Sequence, residues 1–317
     1  MSAARAVVAT GAAALVLAAA PWLLSDFLLS LTVACLMYAG LAVSWAMFSG
    51  PTHYLSLATA AFFGLGAYVT AWGVATLPWA LCVAGGGLVA AVFAALVGAA
   101  VLHLRGAYFA VLTFGLGELV RHAITYFEKS YFRTVGRVLT KTPDATTVYL
   151  TVLGVAAAAV AVAAVVRASR LGLALRGIGG DEERAQTLGV STRRMKIAGF
   201  ALSAFFAGAM GAAVAVRWTY IDPPAVFNPF IGLQTVLIAM VGGAATLGGP
   251  LASAVVFSLF TEFLRLRFPY AFLLVLGTLL IVLVLYLPGG LASLVERRRP
   301  AAAAGGAARG AGGPTRG

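Results

Sequence analysis

The sequence predicts an all-α polytopic membrane protein, a transmembrane helical bundle of about 8–10 spans with discontinuous helices. Three observations lead there. The chain is 62% hydrophobic and only 10% charged, with a mean hydropathy of +0.98, whereas a soluble domain carries roughly 25% charged residues. Apolar runs recur at the length of about 20 residues that a helix needs to cross the hydrocarbon core. The runs are continuous in Leu, Ala and Val, without the alternation of barrel strands.

In chain order the apolar segments are 6–24, 27–48, 55–77, 79–102, 107–127, 148–167, 193–217, 231–247, 251–267 and 270–287. The eighth and ninth are short and Gly-broken. The first, with Arg5 before it and small residues before Pro21, has the outline of a secretory leader, but apolar sequence resumes at Phe27. It is therefore read as a retained first helix. Polar intervals fall at 128–147, at 168–192 and in the tail, and 292–317 has no apolar periodicity to bury and is expected to be disordered.

Lys and Arg near span ends set the orientation. Arg167, Arg170, Arg176, Arg184, Arg193, Arg194 and Lys196 bracket the interval 168–192, and Arg297 to Arg299 follow the last span. Both regions belong in the cytoplasm by the positive-inside bias, which places both termini there and 128–147 and 218–230 outside. That bias also accounts for the net charge of +12. The basic residues are not interleaved with stacking aromatics in a groove, so no nucleic acid partner is expected. Cys35 and Cys82 both lie inside apolar runs and read as small hydrophobes.

The interval 168–192 is too long for a simple connector. Leu171, Leu173, Ala174, Leu175 and Ile178 precede Gly179-Gly180, Asp181 suits the N-cap of a short helix through Leu188, and Gly189 suits its left-handed stop. Ser191 suits the cap of the next span. Two short amphipathic helices meeting at a Gly-Gly bend are predicted, a shape that fills a groove on a cytoplasmic partner.

These residues also carry a resemblance. Glu183-Arg184-Ala185 followed by Gly189 resembles the E-A-A-x-x-x-G loop of ABC importer permeases, with Arg184 where the signature has its first Ala. The flanks Gly172 to Arg176 and Lys196 to Phe200 resemble branched-chain amino acid permeases of the LivM type. So do Leu55 to Leu57 with Ala60 to Tyr68, Leu104 to Ala110 through Gly117-Glu118, Asp222-Pro223, Gly242 to Pro250, and Pro288 to Leu291. The resemblance implies a permease domain over residues 1–291 in a bacterial inner membrane. Its partners would be a second homologous permease, two cytoplasmic ATP-binding subunits, an extracytoplasmic solute-binding protein, membrane lipid and a branched-chain amino acid or related small solute. Arg176, Asp181, Glu182, Glu183, Ala185 and Gly189 would couple the chain to the ATPases. No G-x-x-x-x-G-K-[ST] loop occurs in the sequence, so hydrolysis is assigned to the partners, with no catalytic residue, metal or cofactor here.

Ser56, Thr59, Thr113 and Gln234 are candidates to line the path, being neutral, hydrogen-bond capable and beside Gly-rich breaks; Ser and Thr in spans also bond to their own helix four residues back. Glu118, Arg121 and His122 share a helical face. Glu118 is a further path candidate, although its place late in the fifth segment also suits a paired cluster at the outer interface. Glu262 and Arg265 are assigned to packing. Pro/Gly-broken stretches at Gly50-Pro51 and at 242–250 suggest discontinuous helices near a transport site. The alternative is an ion-coupled secondary transporter working through Glu118. A membrane enzyme would need grouped catalytic residues, and His53, His103 and His122 are scattered.

Overall fold

A computed structural model describes residues 3–139 and 142–268, with 274, 275, 277 and 278. The segment 270–287 is thus described at four positions only, and the tail 292–317 lies outside the described residues. The helices are α1 (Ala3–Ala18), α2 (Ala20–Leu23), α3 (Asp26–Thr52), α4 (Thr59–Gly73), α5 (Trp79–Val101) and α6 (Ala107–Phe132). After the two-residue strand β1 (Arg137–Val138) come α7 (Ala145–Ala168), α8 (Arg170–Gly180), α9 (Glu182–Thr187) and α10 (Thr192–Ala215). Strand β2 (Tyr220–Ile221), α11 (Pro223–Val226), α12 (Pro229–Gly242) and α13 (Gly248–Arg267) complete the order. Among the described residues, 7 helical stretches are long and apolar enough to cross a bilayer. The described part of the chain is a polytopic helical bundle, as the apolar runs require.

Helix α10 is the centre of the bundle, with 67% of its most apolar stretch buried against 6% for the stretch formed by α1 and α2. Small residues put it there. A Cβ at Gly66 of α4 would overlap the Gly208 carbonyl of α10, and one at Gly211 would overlap the Phe63 carbonyl, so the two backbones touch directly. Without a hydrophobic drive between helices in lipid, such close approach is how they gain packing energy. Phe48, Phe62, Phe109 and Phe200 fill the space below, with the Phe48 and Phe200 rings 5.2 Å apart and Phe62 and Phe200 5.3 Å apart.

The predicted segment 55–77 is not one helix. Pro51 removes an amide from the last turn of α3, and His53 adopts a left-handed conformation at φ 59°. The chain then runs without helical structure through residues 53–58 into the bundle before α4 begins at Thr59. Bare backbone inside a membrane protein is tolerated only where protein satisfies it. Here Trp45 Nε1 donates to the Ser56 carbonyl at 2.7 Å, and the Leu57 amide donates to Thr113 Oγ1 at 3.0 Å. The Gly242 to Pro250 break, by contrast, is a turn joining α12 to α13 at the end of the bundle.

Both ends are well defined. At one lie His53, the α5–α6 turn, the segment 169–191 and the α12–α13 turn, linked by His53 to the Gly179 carbonyl, Lys196 to the Leu102 carbonyl and Arg167 to the carbonyls of Ala244, Ala245 and Thr246. At the other, β1 pairs antiparallel with β2, Arg137 opposite Ile221. The intervals 128–147 and 218–230 therefore share the end opposite 168–192, the grouping that the charge pattern expected.

Candidate functional site

The segment 169–191 folds as two capped helices. Ser169 accepts from the Gly172 amide to start α8, and Asp181 Oδ1 accepts from the amides of Glu183 and Arg184, each at 3.0 Å, to start α9. Gly189, at φ +82°, closes α9: its amide donates to the Gln186 carbonyl and the Val190 amide to the Ala185 carbonyl. That double bond pattern is a Schellman motif, which needs a left-handed residue at Gly189's position. Two expectations are corrected. Helix α8 continues through Gly180 and breaks at Asp181, where the backbone is extended. Gly179 instead allows close approach, since a Cβ there would overlap the Pro51 carbonyl of α3. Ser191 holds the N-cap position of α10 without a side-chain capping bond.

The loop has an inner and an outer face. Leu175, Ile178 and Ala185 are buried against the bundle, while Glu183, Arg184, Leu173 and Leu188 are exposed, Leu188 at 79%. Arg176 donates to the Arg167 carbonyl at 3.0 Å, tying α8 to the end of α7. Glu182 turns inward. Its Oε1 lies 2.6 Å from Lys196 Nζ, and its Oε2 accepts from the Tyr54 hydroxyl at 3.0 Å and sits 3.2 Å from Arg105 Nε. Lys196 is 4% exposed and also donates to the Leu102 carbonyl at 2.7 Å and to Tyr54 at 3.2 Å. Burial pushes the Glu182 carboxyl up, but the hydrogen bond and charge of Lys196, with Tyr54 and Arg105, outweigh it and hold Glu182 below its ordinary value. One carboxylate thus ties α9 to α10, to the α5–α6 turn and to the start of the non-helical segment.

Beside this cluster is a cavity of about 320 Å³ lined by Trp45, Ser49, Tyr54, Leu55, Met240 and Ala244, among others. Ser49 Oγ is buried in its wall without a hydrogen-bond partner.

The path candidates separate into two groups. Ser56, Thr59, Thr113 and Gln234 are all buried within the chain. Thr113 bonds both to its own helix and to Leu57, Ser56 accepts weakly from the Ala58 amide at 3.4 Å, and Gln234 reaches Thr261 at 3.4 Å. Glu118 is different. It pairs with Arg121, with His122 3.8 Å away, and the side chains of Glu118 and Arg121 are about 30% exposed. Because α6 runs on to Phe132, Glu118 stands near the midpoint of that helix.

Three functional-looking residues escaped the sequence reading. Arg167 satisfies three carbonyls of the α12–α13 turn, and Lys196 faces inward; both read as topology charges, although a Lys five residues into an apolar helix was a signal of burial. Glu128, 1% exposed, accepts from Tyr68 at 3.2 Å and from the Gly136 amide at 2.8 Å, fastening the far end of α6. Glu128→Ala leaves both donors unsatisfied and is expected to cost about 1–3 kcal/mol, read as a lower melting temperature in detergent. Glu128→Gln, which keeps an acceptor, should lose less.

Bundle, broken helix and capped loop are those of a multi-pass helical membrane protein. The family described as the permease component of branched-chain amino acid transport systems matches residues 27–284, and the chain belongs to it. It is similar to the high-affinity branched-chain amino acid transport system permease protein LivM of Escherichia coli K12, 27% identical over 90% of this chain and 74% of the relative. LivM of Salmonella typhimurium LT2 is 26% identical over the same shares. No solved structure matches the chain.

Proposed function

We propose that this chain is one of two permease subunits of an ATP-driven importer for branched-chain or similar hydrophobic amino acids. The capped loop 169–191 carries the reading: it presents Leu173, Leu188, Glu183 and Arg184 outward from a base fixed by Arg176 and Glu182, as a lever seated in an ATP-binding subunit would. Two such subunits would dock from the cytoplasm, which puts both termini of the permease on that side. A homologous permease would complete the path, and a solute-binding protein would deliver the amino acid at the β1–β2 end. Lipid suits the apolar cleft of about 710 Å³ between α1, α3, α7 and α13.

Glu118 and Arg121 support a path along α6. Charges at mid-helix cost roughly 2.5–3.5 kcal/mol facing lipid on insertion scales, so this face requires water or protein, and a zwitterion needs such partners. The same pair keeps ion-coupled transport as a second reading, which predicts that uptake survives ATP depletion and is abolished by Glu118→Gln.

Gly189→Val tests the main reading. A β-branched residue at φ +82° is strained by roughly 1–2 kcal/mol, and nothing lies within 4 Å of a Cβ at this position, so the effect centres on the end of α9. The ATP-binding subunits should still co-purify while uptake per ATP hydrolysed falls several-fold in proteoliposomes. Unchanged uptake would remove the loop from the mechanism.

A further inference from the structure

We infer that the non-helical segment 53–58 is the cytoplasmic gate of the permease and that Tyr54, Glu182 and Lys196 connect it to the loop; this rests on the importer reading above. The geometry has three parts. Tyr54 belongs to the segment, lines the 320 Å³ cavity, and donates to the carboxylate of Glu182 on α9. Lys196 clamps the same carboxylate from α10 and sits 5.0 Å from the centre of the Tyr54 ring. His53, the residue before, bonds through Nδ1 to the Gly179 carbonyl of α8, 3.1 Å away. Both short helices of the loop therefore grip the start of the segment, and a displacement of the loop acts directly on residues 53 and 54 as well as on α10 through Lys196.

The segment also lacks the helical hydrogen bonding of its surroundings. Three side-chain contacts hold its backbone beyond Tyr54, Trp45 to the Ser56 carbonyl, Thr113 to the Leu57 amide and, weakly, Ser56 Oγ to the Ala58 amide, in place of a helical ladder. Thr113 lies on α6 one turn and a residue before Glu118, so the inner end of the segment meets the helix that carries the Glu118–Arg121 ion pair. The cavity behind Tyr54 has an apolar wall of Trp45, Leu55 and Met240 and one unpaired hydroxyl, Ser49 Oγ. That chemistry suits a small zwitterion with an aliphatic side chain on its way out. Moving Tyr54 opens or closes this space directly. Tyr54 and Lys196 are accordingly positioning residues: they act through Glu182 and the segment.

The test uses Ser49→Cys in a chain with Cys35 and Cys82 replaced by Ala, purified with its ATP-binding subunits. Labelling of the introduced thiol by a water-soluble maleimide is timed with and without ATP. ATP should change the labelling rate several-fold in the Tyr54 chain. In Tyr54→Phe, and in the double variant Glu182→Gln with Lys196→Met, the change should vanish while the ATP-binding subunits still co-purify and hydrolyse ATP. If those variants keep the full ATP-dependent change, or if ATP changes nothing in the Tyr54 chain although hydrolysis proceeds, the gate assignment is wrong. Failure of any ATP-binding subunit to co-purify with the unaltered chain would instead sink the importer reading on which it rests.

Discussion

Gly66→Val should prevent the protein from folding to a stable bundle. The valine Cβ would overlap the Gly208 carbonyl and its α-carbon side of α10, and backbone cannot step aside as the tip of a side chain does. Overpacking usually costs about 1–3 kcal/mol where neighbours can shift; here α4 and α10 must separate, and with them the contacts of Gly86 on α5 against both. A loss at or above the top of that range is expected. Size-exclusion profiles and melting in detergent read it out, with Gly115→Val as the control, since nothing lies within 4 Å of a Cβ at Gly115. Equal melting temperatures for the two variants would contradict the packing.

Lys196→Met should be the most damaging single change at the loop. It leaves the Glu182 carboxylate with Tyr54 and with Arg105, whose side chain is 59% exposed, as its remaining partners. Removing one partner of a buried pair costs about 3–5 kcal/mol, and the surviving Arg105 contact places this site at the lower end. Adding Glu182→Gln removes the stranded charge and should restore most of the lost stability, so the double variant is firmer than the single one. Additive losses in the double variant would mean that the pair is not coupled. The ion pair also fixes a pH response. Because Glu182 is held below its ordinary value of 4.5, its contribution is complete above that pH and is lost only as the pH falls through the depressed value. Melting should therefore be insensitive to this pair from pH 7 to 5 and weaken in more acidic buffer, an effect absent in Glu182→Gln.

Much of this was legible in sequence because the determinants are local. Apolar run lengths located most helices within a few residues, and Asp181 and Gly189 announced the boundaries of α9, since a cap and a left-handed stop act on amides two to five residues away. Long-range contacts were not legible. Nothing near Lys196 names Glu182, Tyr54 or Leu102 as its partners, and Arg167 gives no hint of the α12–α13 turn. The segment 53–58 was legible in part: Gly50-Pro51 marked a break, but Leu55 to Ala58 read as the start of the next span, whereas the helix begins only at Thr59. The continuation of α6 past its apolar stretch to Phe132 was likewise not legible.

The slight attachment of the first helix bears on how the protein is made. Helix α1 leans chiefly on α7, with the Tyr149 hydroxyl bonded to the Leu17 carbonyl, yet it leaves the ribosome long before that neighbour exists. Until then its own apolar surface must hold it in the bilayer without that neighbour. Its docking therefore waits at least until α7 has been made.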